Sequence, residues 1–326
     1  MDRVFVTGAN GLLGTNLVLM LIEQKYFVTA LVRKRGSFIH HTLENLELVE
    51  GDLLHAEQLT NQMKGCRYVV HIAANTSQKL LKLNDYYPAN VLGTNNVINA
   101  CIKNQIEKLI YIGTANTYAH GGIASPGNEN MPMKYPFTKS LYALSKNQAQ
   151  EIIDEAASKL NITTISPTFM LGPFDSKPSS GRIILLALNK RFVFYPSGGK
   201  NFVHVNDVVT AIIKAFHMHE SGQKYILANE NLSYKKFFEK LLRLNNQKTK
   251  LIPLPDWILS FIGLIGDFCR FFKFKTDISS VNTNVLKTRN YYTNKKAMQE
   301  LNIEFTPIDK AIVDSLEYFK QMQLKN

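Results

Sequence analysis

The chain has 326 residues, 45% of them hydrophobic and 20% charged, proportions that exclude a disordered or fibrous chain and leave ample length for a large buried core. Its three cysteines, Cys66, Cys101 and Cys269, lie far apart with no Cys-x-x-Cys pair, so neither a disulfide framework nor a structural zinc site is expected. A formal net charge of +12 is spread over scattered lysines and arginines rather than a basic stripe with interleaved aromatics, so nucleic acid is not an expected partner, and an anionic cofactor or membrane surface accounts for part of the excess.

The first apolar strand, Val4-Phe5-Val6, begins too close to Met1 for a signal peptide to precede it, and a cytoplasmic location is expected. The strand runs into Thr7-Gly8-Ala9-Asn10-Gly11-Leu12-Leu13-Gly14 and then a helical stretch, Leu12–Glu23. A strand, a glycine turn and a helix in that order form a dinucleotide site with a physical logic. Gly8 permits the sharp turn, Gly11 lets backbone approach a pyrophosphate, and Gly14 lets the helix pack closely. The free amides and positive end of the helix dipole then face the phosphates.

A second strand, Phe27–Val32, ends in Arg33-Lys34-Arg35. A site selective for NAD would place a carboxylate there for the ribose hydroxyls. A guanidinium instead suits a 2′-phosphate, so NADP(H) is expected in preference to NAD(H), with Arg33 as the contact. Strands over Leu46–Val49, Tyr68–Ile72, Lys108–Ile112 and Ile162–Ile165 follow, with helical patterns at Ala56–Met63, Tyr87–Lys103 and Lys139–Leu160. This alternation predicts an α/β fold, a doubly wound parallel Rossmann sheet with helices on both faces and ligands beyond the carboxyl ends of the strands.

The strand ends are therefore the positions that carry chemistry. Ala73 and Ala74, in His71-Ile72-Ala73-Ala74, are small enough for a cofactor to lie against backbone, and His71 is expected to be structural. None of the histidines, His40-His41 and His217/His219 included, has partners at metal-ligand spacing, so no metal is expected. In Ser140-Leu-Tyr142-Ala-Leu-Ser-Lys146, residues four apart share a helical face. A phenol with an ordinary pKa of about 10 needs a neighbouring ammonium to ionise more readily, and Lys146 is expected to supply it while holding the nicotinamide ribose. Tyr135 and Lys139 have the same spacing, but Pro136 disfavours a helical Tyr135. A hydroxyl at the end of the preceding strand, where Thr114 and Thr117 both stand, can hold the substrate oxygen.

The Thr-Gly-x-x-Gly-x-x-Gly spacing, the Tyr142/Lys146 pair and Thr114 resemble the extended short-chain dehydrogenase/reductase superfamily, and most nearly its dihydroflavonol-reductase-like and 3β-hydroxysteroid-dehydrogenase-like branch. Ser166-Pro167-Thr168 and Asn201-Phe-Val-His204-Val-Asn206-Asp207 extend the likeness. The resemblance implies that Thr114 holds the substrate oxygen, that Asp52, with Leu53, meets the adenine, that Pro167 and Thr168 lie beside the nicotinamide, and that Asn90 supports the site. The implied cofactor contacts are then Thr7, Gly8, Asn10, Gly11, Leu12, Leu13, Gly14, Arg33, Asp52, Leu53, Ala73, Ala74, Asn90, Tyr142, Lys146, Pro167 and Thr168. It further implies a Rossmann core of residues 1–168 and 202–228, a smaller substrate-binding region of residues 169–201 and 229–326, and a homodimer.

The expected reaction interconverts a hydrophobic ketone and a secondary alcohol, because Phe169–Phe174 and Phe192–Tyr195 are rich in apolar residues. A nucleotide-sugar epimerase and a non-catalytic dinucleotide sensor are the competing readings. The apolar run 255–272, too short and too charged to span a bilayer, reads as a lid, a helix resting on a membrane, or core packing.

Overall fold

The computed structural model describes residues 1–38 and 43–323, so the His40-His41 pair lies outside the described residues. Strands β1 (Arg3–Thr7), β2 (Phe27–Val32), β3 (Leu46–Glu50), β4 (Tyr68–His71), β5 (Lys108–Ile112) and β6 (Ile162–Pro167) pair in parallel, in the spatial order 6-5-4-1-2-3. Side chains alternate across this sheet. Val4 and Val6 of β1 face a core shared with α1 (Leu12–Glu23), whereas Phe5 faces the opposite core, shared with α2 (Ala56–Gln62), α3 (Gly93–Lys103) and α4 (Leu141–Ala156). Both faces are thus dry, which is why these strands read as continuous apolar runs.

Two helices differ from their expected spans for local reasons. Residues 88–92 form a π-helical turn before α3, closed by the Gly93 amide on the Pro88 carbonyl; such turns often mark functional sites, and this one carries Asn90. The helix expected from Lys139 starts at Leu141 because the Ser140 hydroxyl accepts from the Ala143 amide at 3.4 Å, an N-cap that fixes the boundary.

Beyond Pro167 the chain builds a second layer from β7 (Phe169–Leu171), α5 (Arg182–Leu185), β8 (Phe192–Tyr195) and β9 (Gly199–His204). It returns to the main sheet through α6 (Val205–Ala215), which packs beside α1, and β10 (Gln223–Leu227), parallel to β6. Residues 202–204 belong to β9, the centre of a small sheet with β7, β11 (Glu230–Ser233) and β13 (Arg289–Asn290). Their side chains divide there between the two cores, Phe202 inward to the second and Val203 to the first. Around this sheet lie α7 (Tyr234–Leu244), β12 (Lys250–Pro253), which pairs with β8, α8 (Asp256–Phe271), α9 (Ser280–Lys287), α10 (Lys295–Leu301) and α11 (Ile308–Gln323).

The β1–α1 turn is the tightest packing in the main sheet. Gly8 has φ +70°, and a Cβ on it would sit 2.8 Å from the Ala73 nitrogen. A Cβ on Gly14 would lie 2.2 Å from the Gly8 carbonyl oxygen, a clash with backbone that no rotamer relieves. Gly14→Ala should therefore lower unfolding free energy by about 1–3 kcal/mol, the usual penalty for overpacking, read as a lower urea midpoint; an unchanged midpoint would contradict this packing.

Candidate active site

The glycine turn leaves a cradle of the required shape. Gly11 is the N-cap of α1, no side chain caps that end, and no acidic residue occupies the first turn. A Cβ on Gly11 would meet nothing nearer than the Gly8 oxygen at 3.6 Å. Open space lies in front of uncapped amides at the positive end of the helix dipole, which suits a pyrophosphate. The residues present thus fit a dinucleotide. At the carboxyl end of β2, Arg33 is exposed and forms no ion pair among the described residues. The Asn10 amide donates to the Ser37 hydroxyl at 2.9 Å, tying the glycine turn to the loop that carries Arg33. Asp52 follows β3, and its carboxylate accepts from the Leu54 amide at 3.0 Å, which fixes that turn.

A buried relay joins the cradle to α4. The Thr7 hydroxyl oxygen accepts from the Ile72 and Ala73 amides at 3.1 and 3.2 Å, so its own proton is directed to His71 Nδ1 at 2.8 Å. His71 Nε2 then donates to Thr94 Oγ1 at 3.0 Å, and Thr94 donates to the Asn90 carbonyl at 2.7 Å. The tautomer follows from this assignment of protons. Burial, followed by the nearby Lys146 charge, lowers the His71 pKa to about 3. His71 is therefore a neutral structural residue. Asn90 continues the relay: its amide donates to the Asn75 carbonyl at 3.1 Å and to the Ser145 hydroxyl at 2.9 Å, and its Oδ1 accepts from the Asn75 amide. This holds the segment after Ala73 and Ala74 against α4.

Thr114, Tyr142 and Lys146 come together at the end of β5. Thr114 is buried and caps the short turn 115–117, accepting from the Asn116 amide at 3.3 Å. Thr117 donates its hydroxyl to the Thr114 carbonyl at 2.8 Å, so that group is engaged with backbone and Thr114 is the one that meets Tyr142. Tyr135 is exposed, and its hydroxyl accepts from the Asn284 amide at 2.6 Å, outside this constellation.

The electrostatics differ from expectation. The Lys146 ammonium donates to the Ile112 carbonyl at 2.9 Å and stands 4.3 Å from the Tyr111 ring centroid. Burial lowers its pKa to about 7. Burial also raises Tyr142 to about 12, against a smaller opposing effect from the Thr114 hydroxyl. The phenol is thus held protonated by burial, while the ammonium that was expected to ionise it lies against a carbonyl and a ring face.

A pocket beside Thr114 is lined by Ala115, Asn116, Pro167, Thr168, Phe169, Lys200, Asn201, Asn290 and Tyr292. Its composition corrects the expectation of apolar walls from Phe169–Phe174 and Phe192–Tyr195. Phe192 and Phe194 point to the surface, Phe174 and Tyr195 pack on the second core, and Phe169 alone of these lines the pocket. The sequence reading missed Lys200, whose ammonium sits 5.0 Å from the Phe169 ring centroid with its pKa lowered by burial to about 8. It directly precedes the Asn201–His204 segment already singled out, which was the available signal. Asn290 and Tyr292 arrive from 90 residues further along the chain, on a stretch with no motif.

The comparisons with known proteins agree with this geometry. The profile of the NAD dependent epimerase/dehydratase family matches residues 4–229. A provisionally named dihydroflavonol 4-reductase of Synechocystis sp. is 30% identical over 98% of this chain and 95% of its own. A 4-hydroxy-2-methyl-3-oxo-4-farnesyl-3,4-dihydroquinoline-1-oxide ketoreductase of Stigmatella aurantiaca is 28% identical over 78% of this chain and 76% of its own. The crystal structure of gox2253 superposes with a TM-score of 0.84 at 26% identity, covering 99% of both chains.

The relay makes a pH prediction. A histidine with its folded pKa depressed from 6.5 to about 3 leaves the unfolded chain binding more protons between those values. Stability conferred by neutral His71 is therefore complete above pH 6.5 and is lost as pH falls, by about 1.4 kcal/mol per unit within that window. Urea unfolding of the protein and of His71→Asn at pH 7 and pH 4.5 should show a smaller pH-induced loss in the variant, and equal losses would contradict a neutral buried His71.

Proposed function

The chain belongs to the NAD dependent epimerase/dehydratase family, and from that premise we propose that it is an NADP(H)-preferring reductase interconverting a hydrophobic ketone and its secondary alcohol. It is an NAD(P)-dependent oxidoreductase of the extended short-chain dehydrogenase/reductase type. The observation that carries the catalytic reading is the placement of the Tyr142 phenol beside the Thr114 hydroxyl at the end of β5. A dinucleotide bound along the glycine turn would supply or accept the hydride. Tyr142 delivers its proton to the carbonyl oxygen, and Thr114 hydrogen-bonds that oxygen as negative charge develops on it. Lys146, one helical turn from Tyr142, holds the ribose hydroxyls and replenishes positive charge beside the phenol. With a pKa of about 7 it is partly protonated at neutral pH.

A hydrophobic substrate is supported by the relatives, one named for a dihydroflavonol and one for a farnesylated dihydroquinoline oxide. The polar lining from Lys200, Asn201 and Asn290 supports a substrate whose apolar frame carries an oxygen-rich edge near the ketone. The same lysine is the observation that favours a second reading, a nucleotide-sugar epimerase, since a buried ammonium also suits a diphosphate. Arg33, with no carboxylate at the end of β2 to take ribose hydroxyls, supports the 2′-phosphate and thus the first reading.

Two substitutions test it. Tyr142→Phe should reduce kcat by about 10²–10⁴-fold, the usual worth of a general acid, with NADPH affinity nearly unchanged by fluorescence titration; full activity would remove Tyr142 from the mechanism. Arg33→Ala should weaken NADPH by about tenfold or more, the worth of a charge-assisted hydrogen bond, and leave NADH nearly untouched. Equal affinities of the unsubstituted protein for both cofactors would contradict the assigned preference.

A further inference from the structure

Helix α8 turns its most apolar side outward. Trp257 is 72% exposed, Phe261 60%, Leu264 63%, Phe268 66% and Phe271 81%, and Ile265 and Phe272 are also exposed. At 3.6 residues per turn these positions fall within an arc of about 120°. The opposite side, Leu259, Gly263 and Gly266, is buried. The two glycines set that side flush on the next element: a Cβ on Gly263 would lie 2.5 Å from Thr283 Oγ1, and one on Gly266 2.4 Å from the Ile278 carbonyl oxygen. The helix is therefore seated on the protein by its small residues, while its aromatic face is exposed among the described residues. A contiguous apolar face of this kind marks an interaction site, and the expectation of plain core packing for residues 255–272 does not hold.

The charges around this face identify its occupant. Lys273 and Lys275 follow the helix directly and are exposed, as is Lys79 on the adjoining loop. None of the three enters an ion pair among the described residues. Of the neighbouring carboxylates, Asp277 pairs with Arg182 at 3.4 Å, whereas Asp256 and Asp267 accept from the Ser197 hydroxyl and the Ser280 amide and keep their charge on the flanks of the helix. The face thus presents aromatic side chains beside these lysines, on a chain of formal net charge +12. No helix among the described residues is long and apolar enough to cross a membrane. We propose that α8 lies in the interfacial plane of an anionic phospholipid bilayer, with Trp257, Phe261, Leu264, Phe268 and Phe271 among the acyl chains and Lys273 and Lys275 at the headgroups.

The position of α8 relates this surface to the active site. The Arg270 guanidinium donates to the Gln78 and Leu80 carbonyls at 3.1 and 2.6 Å. That loop continues from Asn75, which Asn90 holds against α4. The lipid-facing helix is therefore fastened to the segment leaving the cofactor edge, and an apolar molecule dissolved in the bilayer is presented on that side. Membrane docking itself does not depend on the reductase reading.

Trp257 is the single tryptophan of the chain, so its emission reports contact directly. The full-length protein is titrated with vesicles of three parts phosphatidylcholine to one part phosphatidylglycerol, and separately with phosphatidylcholine alone, following emission and co-sedimentation. The expected result is a blue shift and pelleting with the anionic vesicles, and weaker binding to neutral ones. Phe261→Ser/Phe268→Ser should weaken partitioning by at least about tenfold, since two deeply inserted rings are lost. Lys273→Glu/Lys275→Glu should weaken binding to anionic vesicles alone, by a similar factor. Both variants should keep the parent melting temperature, because the replaced side chains are exposed. Absence of a shift and of pelleting with either vesicle overturns the proposal, as does vesicle binding that the Phe substitutions leave unchanged. A concentration-dependent dimer abolished by those substitutions, in a protein that ignores vesicles, overturns it in favour of self-association.

Discussion

The hydroxyl of Thr7 has two backbone amides to accept and one proton to give, and that arithmetic governs the site. Its proton goes to His71, whose other nitrogen must donate to Thr94, and the chain of bonds ends on Asn90 inside the π-helical turn. Each member is buried, so a wrongly placed proton leaves an unsatisfied group in a dry interior. The consequence is geometric. The end of β1, the end of β4 and the start of α3 are locked in register, and Asn90 passes the constraint to α4 through Ser145. The glycine cradle and Tyr142 are thus held by one network, as a hydride transfer between two bound partners requires.

The same dryness sets the protonation states. Tyr142 at about 12 and Lys146 at about 7 are both moved by burial toward their neutral forms. A neutral phenol is a proton donor, which suits the reductive direction. The lysine's ammonium donates to the Ile112 carbonyl and stands against the Tyr111 ring. Moving it onto ribose hydroxyls would exchange one carbonyl for several oxygen partners, favouring its charged form and, through it, a more acidic Tyr142. Cofactor binding and acid strength are coupled in this account by a single side chain.

Much of this was legible in the sequence where one residue type answers one local demand. The Gly8–Gly14 turn, the parallel doubly wound sheet implied by alternation, and the choice of Tyr142 over Tyr135 all follow from such demands, since Pro136 disfavours a helical Tyr135. What was not legible depended on distant parts of the chain. Lys146 pairs with backbone of β5 rather than with its helical neighbour, and no spacing rule carries that information. Asn290 and Tyr292 reach the pocket through a two-residue strand beside β9. Phe192 and Phe194 were read as pocket walls because composition does not say which way a strand on a small peripheral sheet turns its alternate faces. The same limit applied to α8, whose apolar run left a lid, a membrane-resting helix and core packing open, and whose outward apolar face only the structure shows.

The central claim is net hydride transfer to a ketone, and isotopic transfer tests it most directly. The protein is incubated with NADPH deuterated at the nicotinamide C4 and a panel of large apolar ketones, with a nucleotide diphospho-sugar as the comparison, and products are weighed by mass spectrometry. The account predicts an alcohol carrying one deuterium at the former carbonyl carbon, with stoichiometric oxidation of the cofactor. A protein that reduces no ketone and instead inverts the sugar without net consumption of the cofactor would contradict it.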